Sequence, residues 1–92
     1  MPGWDELRAT EHLETLAEEH DIEITWTASP EWQESMSFVS ARAVYIPVPS
    51  DFGAYLVALH EFGHILGTPE PDEATEGRAW LWAARAAAYA RL

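Results

Sequence analysis

From Trp4 to His20 the apolar residues Trp4, Leu7, Leu13, Leu16 and Ala17 recur at helical spacing among Asp5, Glu6, Glu11, Glu14, Glu18 and Glu19. This spacing predicts an amphipathic helix whose acidic face is solvated. The period then shortens to simple alternation, with Ile22, Ile24 and Trp26 separated by Glu23, Thr25 and Thr27. Alternation in β-branched and aromatic residues predicts a short strand with one buried face. Ser29-Pro30-Glu31 interrupts the pattern, and Met36 to Val39 and Ala43 to Val48 predict two further strands with a turn near Ser40. Pro47 and Pro49 have no amide hydrogen to donate, which places the strand carrying Val44, Ile46 and Val48 at a sheet edge, open to another chain.

Ser50 and Asp51 then offer a capping oxygen and an early carboxylate, and Phe52, Tyr55, Leu56, Leu59, Phe62 and Leu66 follow at helical spacing before Gly67. Together they predict a capped helix ending near that glycine. Thr68 to Asp72 is a proline-stiffened loop, and the Ala-rich stretch from Glu73 to Leu92 has high helix propensity. No repeat or linker divides residues 1–92, so one α+β domain is expected.

Composition narrows the chemistry. The 92 residues include 16 acidic and five basic side chains, a net charge of −11, and no cysteine. Disulfides, thiolate metal sites and a thiol nucleophile are therefore excluded. So acidic a chain repels phosphate backbones and anionic lipid, which argues against nucleic acid and membrane partners and for a cation or a basic partner. Met1 to Glu6 lacks a basic, then apolar, export signal, and no apolar run reaches membrane-spanning length, so a cytoplasmic protein is expected.

The predicted Phe52 helix contains His60-Glu61-Phe62-Gly63-His64. Residues four apart lie on one helical face, so both imidazoles can reach a single metal ion, while Glu61 is rotated by about 100° and can reach a water on it. Neutral imidazole suits zinc, which in a catalytic site keeps three protein ligands and an open position for water. Glu61 is then the general base. At this composition the pattern arises by chance in roughly two such sequences in a hundred. Gly63 in mid-helix conflicts with helix propensity, and a second element passing close there would account for it. The third ligand is open on these grounds among Glu70, Asp72, Glu73 and Glu76.

From about Val44 onward the chain resembles a zincin metallopeptidase, and Glu76-Gly77-Arg78-Ala79-Trp80-Leu81-Trp82-Ala83 resembles the glutamate helix of gluzincins. It is similar in particular to minimal ImmA/IrrE-like and phage-type peptidases. The resemblance implies one zinc ion held by His60, His64 and Glu76, with Ala79 and Ala83 letting two helices approach. It further implies endopeptidase cleavage of a peptide or protein substrate by a zinc-bound water that Glu61 activates. The implied architecture is an N-terminal helix, a small three-stranded antiparallel sheet whose edge strand, Ala43 to Val48, pairs with substrate, an active-site helix and a C-terminal glutamate helix. The spacing from His64 to Glu76 is short for most gluzincins, and Glu73 is a rival ligand. His60 to Gly67 also resembles the opening of a metzincin motif, but that motif would place Glu70 where its histidine belongs and expects a methionine after the helix, where this chain has none.

Tyr45, Tyr55, Tyr89, His12, His20 and Arg78 are nominees for stabilising an oxyanion. For His12 and His20 the simpler expectation is exposure on an acidic helix, and for the five tryptophans it is core mass. Trp80 and Trp82 cannot share a helix face, so one of them is expected near solvent. The alternatives to an enzyme are a zinc-binding module without turnover and an acidic protein-interaction domain.

Overall fold

The computed structural model describes residues 3–27, 35–66 and 75–90, with the side chains of Thr75 and Glu76 outside the description. Helix α1 (Glu6–His20) leads into strand β1 (Glu23–Thr27), followed by β2 (Met36–Phe38), β3 (Ala43–Pro47), α2 (Phe52–Leu66) and α3 (Thr75–Ala90). The architecture is α+β, and the elements lie where the periodicities predict them. Among the described residues no helix is long and apolar enough to cross a membrane.

Helix α1 begins two residues later than the apolar spacing suggests, because Asp5 is its cap and accepts the Arg8 amide at 3.0 Å. Trp4, left outside the helix, donates its indole N–H to the Pro49 carbonyl at 2.7 Å and packs against Phe52 and Tyr55. The helix ends at Asp21, whose left-handed φ of 54° lets the chain turn directly into β1. Arg42, itself at φ 51°, reaches the exposed carbonyls of His20 and Asp21 from the β2–β3 turn. A cation at the negative end of α1 offsets the cost of its own backbone conformation.

The sheet is mixed rather than antiparallel, in the order β1-β3-β2. β2 and β3 form an antiparallel hairpin with Ser37 opposite Val44, whereas β1 runs parallel to β3 with Ile24 opposite Val44. The expected edge position of the Ala43 strand is therefore overturned: β3 is central, and β1 and β2 are the edges. Burial explains the order, since β3 carries the fully buried Val44 and Ile46 while β1 and β2 keep exposed positions. Pro47 is tolerated because of its phase. The Glu23 amide donates to the Arg42 carbonyl, which turns the even-numbered β3 amides toward β1 and position 47 toward the β2 side, beyond the last β2–β3 pair at Tyr45.

Above the sheet lies α2, started by Asp51, whose carboxylate accepts the Ala54 amide at 2.8 Å. Its Tyr55, Ala58, Leu59 and Phe62 are fully buried against Leu13, Val44 and Ile46. Helix α3 packs on α2 through Ala79, Ala83 and Ala87, a stripe at every fourth position with the smallest helix-favouring side chain.

Candidate metal centre

His60 and His64 occupy successive turns of α2, and their Nε2 atoms lie 3.1 Å apart. Nitrogens about 2.05 Å from a shared tetrahedral zinc ion would be about 3.3 Å apart, so the observed separation suits two donors to one cation. His60 is 2% exposed and Glu61 6%, burial that polar side chains accept only with partners. The motif is thus set into the body of the protein rather than on its solvated surface.

The helix that meets this motif is α3. An ideal Cβ at Gly63 would fall 2.7 Å from the Ala79 carbonyl oxygen, so the two helices touch backbone to backbone between the histidines' turns. This is the close passage that the mid-helix glycine suggested, and Ala79 is fully buried at it. One residue on, Trp80 stacks on the His60 imidazole with ring centroids 4.0 Å apart and planes 25° from parallel. Stacking of this kind covers one face of the imidazole. Trp80 remains 39% exposed, so this side of the His60 ring is covered by a side chain that itself reaches solvent.

Position 76 lies in the first turn of α3, one turn before Trp80. The expected ligand Glu76 thus has its backbone one helical turn from the residue stacked on His60, while its carboxylate lies outside the description. Glu70, Asp72 and Glu73 lie outside the described residues altogether. Among the described residues no three His, Asp or Glu side chains gather into a metal-holding group. The two histidines fit a divalent cation by donor type and separation, and a carboxylate from early α3 is the kind of donor that would complete the set.

Of the other nominated residues, His12 and Tyr55 pair with each other. The expected exposure of His12 is overturned: it is half-buried, with Nδ1 2.5 Å from the Tyr55 hydroxyl. Burial lowers the His12 pKa, the nearby Glu19 charge opposing it, and burial raises the Tyr55 phenol to about 12. Tyr89 is 89% exposed on α3. The Trp80–His60 stack and the His12–Tyr55 bond had no sequence signal, since each joins helices far apart in the chain.

Comparison with protein-family models, with curated proteins and with solved structures finds no match to this chain.

Proposed function

We propose that the chain is a minimal zinc-dependent metallopeptidase, an endopeptidase of the gluzincin kind, with His60, His64 and Glu76 as metal ligands and Glu61 as general base. The observation that carries this reading is the 3.1 Å approach of the two Nε2 atoms on a helix that also bears the buried Glu61. The contact of Gly63 with Ala79 supports it, because it brings the start of α3 beside those histidines.

A zinc ion would supply Lewis acidity, acidifying water and polarising a carbonyl oxygen. The protein's own groups do the rest. Glu61 takes a proton from the attacking water as its oxygen bonds to the scissile carbonyl carbon, and returns a proton to the amide nitrogen as the C–N bond breaks. Products are a carboxylic acid and an amine, with no redox partner required. Trp80 stacks on the ring of His60 and so restrains its orientation.

The test is zinc content by native mass spectrometry together with cleavage of unfolded protein substrates. Wild type should hold one zinc, His60→Ala and Glu76→Ala should lose or loosen it, and Glu61→Gln should keep it while hydrolysis falls at least a hundredfold. A zinc-loaded Glu61→Gln variant as active as wild type would refute the mechanism. A wild type that takes up no zinc would refute the metal centre and favour an acidic interaction domain.

A further inference from the structure

Helices α1 and α3 both pack on α2 but scarcely touch one another, and a mainly apolar groove of about 420 Å³ opens between them. Leu16 and Glu19 stand on its α1 wall, and Trp82, Arg85 and Tyr89 on its α3 wall. Tyr89 marks the rim, since this large aromatic side chain is 89% exposed. Neither His60, Glu61, His64 nor Trp80 lines the groove. Trp80 and Trp82 are about 200° apart around α3, so the groove and the candidate metal centre use different faces of that helix.

The two walls differ in charge. Residues 5–21 hold seven carboxylates and one guanidinium, whereas α3 holds Arg78 and Arg85 against Glu76. On α1 the exposed Glu11, Thr15, Glu18 and Glu19 follow three- and four-residue steps, so they share one stripe, as do the exposed Arg78, Leu81, Arg85 and Tyr89 on α3. The face around the groove is therefore acidic on one side and basic on the other, with an apolar seam between.

Such a face is complementary to itself. Two copies meeting face to face can be related by a two-fold axis that runs across the groove or along it. An axis across it would lay α1 on α1, glutamate against glutamate. An axis along it lays each α1 on the partner's α3 and keeps every residue at its own level along the groove. Glu19 and Arg85 line the same groove, so this rotation sets each against the other's copy, and it carries Tyr89 over the partner's groove. Charge thus selects the axis. The pair is expected to be weak, because copies of net charge −11 repel at long range. Two helices about 23 Å long and about 10 Å wide also present only about 450 Å² in projection, against about 800 Å² per partner in a standard interface.

We propose that the face formed by α1, α3 and their groove joins two copies of this chain in a two-fold dimer, with Glu19 of each on Arg85 of the other and each Tyr89 in the other's groove. A planar guanidinium takes a carboxylate through two parallel hydrogen bonds, which fixes the register. A closed two-fold stops at two copies. The assignment is independent of the metallopeptidase proposal, because no residue of the candidate metal centre takes part.

The experiment is sedimentation equilibrium of the full chain from about 10 μM to about 1 mM, a range suited to a weak dimer. Wild type should pass from the mass of one chain toward that of two. Glu19→Arg and Arg85→Glu each set like charges against one another across the dimer and should weaken it at least about tenfold, as should Tyr89→Ala. Both charge reversals are at exposed positions, so their circular dichroism should match wild type. Mixed together, the two reversals should associate again, because every Glu19–Arg85 contact then pairs a carboxylate with a guanidinium. A wild type of one-chain mass throughout would overturn the proposal. So would single reversals that associate as wild type does, a mixture of the two that stays monomeric, or species larger than two chains.

Discussion

Gly63 on α2 and Ala79 on α3 meet backbone to backbone: a Cβ on Gly63 would lie 2.7 Å from the Ala79 carbonyl oxygen and 3.0 Å from its Cα. Both atoms belong to a helix backbone and cannot swing aside as a flexible side chain would. This contact sets how near α3 comes to His60 and His64, and so links packing to the candidate chemistry.

Gly63→Ala should therefore destabilise the protein. Alanine gains about 0.5–1 kcal/mol in helix propensity, but overpacking a tight contact costs about 1–3 kcal/mol. Gly77 is the internal control, since a Cβ there meets nothing within 4 Å. Gly77→Ala should be neutral or stabilising by up to about 1 kcal/mol. Urea unfolding of the two variants checks the contrast, and a Gly63→Ala protein as stable as Gly77→Ala would contradict the close approach.

Trp80 should act on the metal centre through His60. Loss of groups that orient a metal-binding histidine typically weakens the metal about 10- to 100-fold. Zinc affinity of Trp80→Ala, measured by chelator competition, should fall by about tenfold and recover in Trp80→Phe, which keeps a ring to stack. Equal affinity in the alanine variant would mean that the 4.0 Å stack holds nothing in register.

The His12–Tyr55 pair predicts two pH limits. Burial lowers the folded-state pKa of His12 below its ordinary 6.5, so the unfolded chain binds the extra proton first. Its contribution is present above about pH 6.5 and is lost as pH falls through the depressed value. Tyr55, raised to about 12, works in the opposite direction. Its contribution is full below the ordinary phenol value of about 10 and is lost as pH rises toward 12. Unfolding free energy measured across pH should fall off at both ends, and Tyr55→Phe should flatten the alkaline side. An unchanged alkaline slope in that variant would assign the loss to other groups.

Much of this protein is local, and the sequence by itself determined that part. The 3.6-residue spacing of Leu13, Leu16 and Ala17, the alternation of Ile22, Ile24 and Trp26, and the Asp51 cap follow from contacts within a few residues, so they specify three helices and three strands. The spacing of His60 and His64 is equally local, because one helical turn brings their nitrogens together wherever that helix goes. Tertiary structure alone decided the rest. The prolines of the Ala43 strand suggested an edge, yet burial of Val44 and Ile46 placed β3 at the centre, and only the phase of the ladder showed why Pro47 fits there. Trp80 beside His60, Ala79 against Gly63 and His12 on Tyr55 join residues at least 16 positions apart. Nothing in a one-dimensional period encodes such pairs, because they arise when the apolar faces of separate helices compete for one small core.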